Sequence, residues 1–196
     1  MSFKDYIKEN LPWIRFIYRK RLAPINLIHN IFDKPVVVLL YHRVNYLNRD
    51  LFNINVTPDN FERHIRILKN HYNVITFNDL KRNDIKEPSV IITFDDGYYD
   101  NYKYAFPILK KYQVPATIFI TSGGVDTGKE FWWDRLETVL FENKNLRESI
   151  ELDILNQRHI FDVSDDKKRL HSFYTLHHIL FSLHPNERDM MLDRWY

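Results

Sequence analysis

Two aspartates stand side by side at Asp95 and Asp96, directly after the apolar run Val90-Ile91-Ile92 and directly before Gly97. Adjacent carboxylates leaving a buried strand are costly: like charges crowd each other, and one must protonate, bind a cation or pair with a base. Consecutive residues near a strand end point to different sides. One carboxylate can therefore face a metal while its neighbour faces a water, and Gly97 lets the chain turn at once. Such an arrangement suits metal-assisted hydrolysis, with one Asp as ligand and the other as general base. A solvated Asp-Asp-Gly turn after a strand accounts for the same residues, and spacing alone does not separate the two. An acidic magnesium phosphotransfer site fits poorly. It wants Asp-x-Asp, whereas the residue two after Asp95 is Gly97, and no G-x-x-x-x-G-K loop occurs.

Other chemistries are excluded by composition. The chain has no cysteine, so disulfides, thiolate metal sites and thiol nucleophiles are ruled out. Lys and Arg number 28 against 26 Asp and Glu, a formal net charge of +2, which makes no electrostatic case for nucleic-acid binding. None of the nine histidines has another three or four residues away. His171 and His178 share the face of an expected helix but stand seven apart, about 10.5 Å along its axis, too far to share one ion. They read as helix surface or core. His42 closes the first apolar run, either beside a site or hydrogen-bonded at a strand end.

The elements that must position these residues follow from periodicity. Residues 35–42, 72–76, 89–94 and 116–121 are short apolar, β-branched runs and read as strands, the first and third of them buried. Thr57-Pro58 opens a helix in which Phe61, Ile65 and Leu68 recur at helical spacing. Residues 99–112 read as a second helix, kinked at Pro107. Strands alternating with helices indicate an α/β domain with a parallel sheet. The four glycines, Gly97, Gly123, Gly124 and Gly128, all fall just after two of these strands, where loops of such sheets build sites. Beyond residue 130 the alternation fades into a helix over 131–142, in which Trp132 and Trp133 read chiefly as anchors on the core. A hairpin over 149–163 and two further helices follow.

Residues 1–34 read as a helical extension carrying seven basic residues (Lys4, Lys8, Arg15, Arg19, Lys20, Arg21, Lys34) against three acidic ones (Asp5, Glu9, Asp33). Such a helix packs on the following domain or lies peripherally on an anionic membrane surface. The charges interrupt every apolar run before Pro24, leaving no secretory signal and no membrane span, so a cytoplasmic or membrane-peripheral location is expected.

The string TFDDG at 93–97 resembles the first motif of the polysaccharide deacetylases, the NodB-homology carbohydrate esterases. PVVVLLYHRV at 35–44, VTPDNFERHIRILKNHY at 56–72, PATIF at 115–119, FWWDRLE at 131–137 and HPNERDMMLDRW at 184–195 are similar to one long-chain branch of that family. The resemblance implies a distorted (β/α) barrel and a divalent metal, usually zinc. It implies hydrolysis of N-acetyl, sometimes O-acetyl, groups on a sugar polymer or glycolipid. By position, Asp95 would be the general base, Asp96 a metal ligand, and His42 would line the substrate pocket. The family's His-Ser/Thr-x-x-His pair and its later motifs do not occur in this sequence. The expectation is therefore an α/β fold holding an incomplete NodB-like barrel. A helical extension (1–34), an N-terminal half-barrel of about four strands (35–130) and a mostly helical insertion (131–196) would make up the chain. A truncated reading frame, a split gene or an expressed fragment would yield such a chain, inactive alone. The alternative is a non-catalytic remnant or interaction module that works only with a complementary C-terminal chain.

Overall fold

The computed structural model describes residues 36–82, 85, 87–125, 128–143, 146–154 and 157–195. The expected helical extension, and the membrane contact assigned to it, lie outside these residues. Two compact units divide the chain, Met1–Thr121 and Ser122–Tyr196.

The first unit is organised around β5 (Ser89–Phe94), buried at every position. A parallel strand covered on both faces needs an unbroken apolar run, and Val90-Ile91-Ile92 supplies it. β1 (Val36–Tyr41) pairs along the whole of β5, Val36 opposite Ser89 through Tyr41 opposite Phe94. On the other side β4 (Asn73–Val74) pairs with the start of β5 and β6 (Thr117–Ile118) with its end. All pairings are parallel, as the alternating pattern predicts, and the sheet is open among the described residues. Two of the expected strands are shorter than their apolar runs, because only 73–74 and 117–118 reach β5. A small parallel pair, β2 (Arg43–Val44) with β3 (Asn55–Val56), was not legible beforehand.

Helix α1 (Pro58–His71) starts where Thr57 predicts. The threonine side chain accepts from the Asn60 N–H, and Pro58 occupies the first turn, where its missing N–H costs nothing. Its buried face, Phe61, Ile65 and Leu68, packs on Val90, Ile92 and Phe94 of β5 together with Ala105 and Leu109. Full burial of such side chains stabilises by about 1.5–3 kcal/mol each. The second expected helix is not uniform. A π-helical turn at Asn101–Ala105, in which the Phe106 N–H reaches back to the Asn101 carbonyl, runs without a break into α2 (Phe106–Tyr112), so Pro107, which has no N–H, follows directly on the widened turn.

β1 differs from expectation. Val37, Val38 and Leu40 are 48%, 50% and 54% exposed, so this strand is not buried. It has a hydrogen-bonded neighbour on one side only among the described residues. A run of β-branched residues reports a strand, not what covers its faces.

The second unit holds α3 (Trp132–Phe141), the expected hairpin β7 (Ser149–Ile154) with β8 (Gln157–Asp162), α4 (Asp166–Ser182) and α5 (Pro185–Asp193). Trp132 is buried, stacked 4.7 Å from His177, which also lies against Phe173 at 6.1 Å. Burial and the neighbouring His178 hold the His177 imidazole below its usual range. The α4 histidines include a packed one, as the helix reading has it. Arg135 is buried and reaches Asp189 at 3.5 Å and Asp193 at 2.5 Å, tying α3 to α5. At the start of α4, Asp162 takes Lys168 Nζ at 2.8 Å and Ser164 Oγ at 2.7 Å. These donors depress its carboxyl from 3.8 to about 2. A carboxylate depressed by folding lends stability above its unfolded value and loses it as pH falls toward the folded one. Asp162→Asn is therefore expected to flatten the loss of second-unit stability between about pH 4 and pH 2, read by acid titration with circular dichroism.

Candidate active site

The end of β5 and the end of β1 form one platform. The Asp95 N–H donates to the Tyr41 carbonyl at 3.0 Å, which extends the β1–β5 ladder by one step and sets His42 level with Asp95. Beneath these ends sits an aromatic trio. Tyr41 meets Phe61 at 5.1 Å and Phe94 at 5.5 Å, and Phe61 meets Phe94 at 5.7 Å. The residues immediately before His42 and Asp95 are thus fixed by core packing, so the polar pair has a rigid base.

Asp96 departs from ordinary geometry. Its φ is +70°, and the Gly97 N–H donates back to the Asp95 carbonyl at 2.9 Å. A hydrogen bond from residue i+2 to residue i around a positive-φ residue marks a γ-turn of the rarer, strained hand. Gly97 follows at φ +75°, and a Cβ there would stand 3.3 Å from both Ile120 Cγ1 and Cγ2. Only glycine meets both demands without strain. On the far side the Thr121 N–H reaches the Asp96 carbonyl at 3.4 Å, and the Phe119 N–H reaches the Phe94 carbonyl at 2.8 Å. The turn is held from both flanks of β5.

Neither carboxylate lies open to solvent; both are half-buried, as is His42. Burial pushes the Asp96 carboxyl above its usual range, the His42 imidazole pulls it down, and Asp95 pushes it up again. These three residues, singled out from the sequence, therefore stand within electrostatic reach of one another. The sign follows from proton linkage: a carboxyl raised by folding binds its proton more tightly in the native state, so its contribution to stability falls as pH rises through that window. At neutral pH an ionised Asp96 weighs against the fold, and a cation beside it would offset the penalty.

One residue essential to the geometry gave no signal in the sequence. Asp100 is 4% exposed and accepts from Arg43 Nε at 2.9 Å, the Val44 N–H at 3.2 Å and Asn45 Nδ2 at 3.4 Å. It ties the segment after His42 to the segment after Asp96. Arg43 lies 4.4 Å over the Tyr98 ring. Only the fold brings 43–45 to 100; a spacing of more than fifty residues carries no periodic mark.

Among the described residues, no group of three His, Asp or Glu side chains is arranged to hold a metal ion. Asp96 would be one donor of a set these residues do not complete.

Residues 82–145 match the family model described as polysaccharide deacetylase, a span that includes the Asp95–Gly97 turn. The Bacillus subtilis protein YxkH, named as a polysaccharide deacetylase, is 42% identical over 96 residues, 45% of this chain and 33% of that one. The poly-beta-1,6-N-acetyl-D-glucosamine N-deacetylase of Staphylococcus aureus is 36% identical over 110 residues, 47% of this chain and 38% of that one. Among solved structures, a polysaccharide deacetylase from Bacillus cereus aligns with a TM-score of 0.43 at 29% identity, covering 53% of this chain and 35% of that chain. IcaB from Ammonifex degensii aligns with a TM-score of 0.45 at 28% identity, covering 54% and 48%. The chain spans between a third and two fifths of the length of these curated relatives. The resemblance drawn from the motifs stands on the family-model match and on these two sequence relatives.

Proposed function

We propose that this polysaccharide deacetylase-like chain supplies the carboxylate half of a site that removes acetyl groups from an N-acetylated, or O-acetylated, sugar polymer or glycolipid. The observation that carries this reading is the turn at Asp96. A non-glycine residue held at positive φ with a half-buried carboxylate is strained and electrostatically unfavourable at neutral pH. Strain of this kind persists where a site requires it. In this reading Asp95 is the general base, taking a proton from the water that attacks the acetyl carbonyl carbon. The new C–O bond forms, the C–N bond of the amide breaks, and acetate and a free amine leave. Asp96 contributes one ligand to a divalent metal, with zinc the expected ion. His42 lines the substrate pocket beside it. The remaining ligands, and the acid that protonates the leaving amine, would come from residues outside this set.

Zinc titration by calorimetry on the purified chain, beside Asp96→Ala, tests the proposal. The expected result is one site per chain, weaker than micromolar, lost in the variant. Zinc binding that survives Asp96→Ala would place the ion elsewhere and remove the reading. A second reading, a non-catalytic module that works only with a complementary chain, is favoured by the half-exposed β1 and the incomplete donor set. It predicts no zinc response at all and no acetate release from N-acetylglucosamine oligomers.

A further inference from the structure

Asp96 and Gly97 form a pair with chemistry of its own. An aspartyl side chain and the next main-chain nitrogen can close a five-membered imide ring. A side chain on the following residue crowds that nitrogen, and glycine has none. Gly97 is the only glycine of the chain preceded by an acidic or amide residue; the others follow Ser122, Gly123 and Thr127. No Asn-Gly, Asn-Ser or Asp-Ser pair offers a competing position.

The fold brings this backbone toward closure. The ring needs the Gly97 nitrogen to eclipse the Asp96 β-carbon about the Cα–C bond. Substituents on a tetrahedral carbon stand a third of a turn apart, so an L-residue reaches that eclipse at ψ of about −120°. A γ-turn of the hand seen at Asp96, with φ +70°, holds ψ near −65°. It stands about 55° from the eclipse, against about 80° for an α-helical residue and about 105° for an extended one. The hydrogen bonds that resist the rotation are poor. The Gly97 N–H reaches the Asp95 carbonyl across the small ring of the γ-turn, which bends the bond. The Thr121 N–H reaches the Asp96 carbonyl at 3.4 Å, beyond the usual range. Gly97 is exposed, so water has access to the ring.

We infer that Asp96–Gly97 is a self-modification site at which the turn isomerises to isoaspartate. The Gly97 nitrogen bonds to Asp96 Cγ, and its proton leaves with the carboxyl hydroxyl as one water. One water then adds back across either C–N bond of the imide. Opening at Cγ restores aspartate. Opening at the Asp96 main-chain carbon leaves isoaspartate, with the chain running through Cβ and Cγ and the carboxylate carried directly on Cα. Nothing is oxidised or reduced, and water is the only co-reactant. The relocated carboxylate no longer projects from the turn on its methylene. The consequence for function rests on the deacetylase reading: the site loses the Asp96 ligand as the protein ages.

Ageing the full chain in warm neutral buffer, folded and in guanidinium, tests the site, with peptide mapping by mass spectrometry that separates isoaspartate from aspartate. Isoaspartate is expected at residue 96 alone. It should form about fivefold faster in the folded chain, the rate equivalent of about 1 kcal/mol of turn strain. Slower formation in the folded chain than in guanidinium overturns the site, as does modification spread over other aspartates. Excess zinc, held by Asp96, should slow the folded chain. If residue 96 isomerises faster when folded and zinc changes nothing, the modification site stands and the ligand role of Asp96 falls.

Discussion

Asp96→Gly is expected to make the chain more stable and at the same time to abolish its response to zinc. The two effects have separate causes at one residue. Asp96 sits at φ +70°, where an L-residue pays roughly 1–2 kcal/mol and glycine nothing. Glycine loses about 0.5–1 kcal/mol of that gain through the larger freedom of its unfolded chain. It also removes a carboxyl that burial and Asp95 push above its usual range, a penalty felt at neutral pH. The net expectation is a gain of about 0.5–1 kcal/mol. Asp96→Ala removes the same carboxylate but keeps a β-carbon at positive φ, so it should be less stable than the glycine variant by about 1 kcal/mol. That order reverses the usual ranking of alanine over glycine. Urea denaturation of the three proteins at pH 7 reads stability; calorimetry with zinc reads the ligand. If glycine and alanine prove equally stable, the turn is not strained, and the argument from strain to function fails.

Asp100→Ala should produce the largest loss of stability of any polar substitution in the first unit. Its carboxylate is almost fully enclosed and satisfies Arg43, the Val44 N–H and Asn45. Truncation removes the acceptor that the Arg43 guanidinium and the buried Val44 N–H share. Breaking a buried pair from one side costs about 3–5 kcal/mol. Arg43 keeps 20% of its side chain in solvent, so about 2–4 kcal/mol is the reasonable range. Hydrogen exchange should show the loss concentrated at residues 43–45. A control at the solvent-exposed Glu87 should stay within about 0.5 kcal/mol. A change of similar size at both positions would mean that Asp100 is not the clasp between the two strand ends.

Much of the architecture was legible because local rules and tertiary packing agree. The apolar run at 89–94 reads as a buried strand, and β5 is enclosed at every position. Thr57, Pro58 and the spacing of Phe61, Ile65 and Leu68 give both the start and the buried face of α1. The hairpin follows from alternation, and the last two helices from the capping Asp165 and from Pro185 at the start of the second. The misreadings share a cause. β1 has the composition of a buried strand, yet Val37, Val38 and Leu40 stand half in solvent, since composition records a strand's preference and not its neighbours. The run at 116–121 has strand character throughout, but only the length that reaches β5 is paired. Residues 99–112 have helical spacing, which does not distinguish a π-helical turn from an α-helical one.

The sequence alone determined the chemical types at the site: two adjacent carboxylates, a glycine and a strand-end histidine, each placed by its immediate neighbours. It also determined the absence of thiol chemistry and of a histidine pair at ligand spacing. Tertiary structure decided the rest. The left-handed turn at Asp96, its half-buried carboxyl, the level setting of His42 with Asp95 and the Asp100 clasp all depend on chain segments tens of residues apart. Periodicity reports which face of an element prefers to be dry; it does not report what meets that face, because such meetings are fixed by close packing of the whole unit.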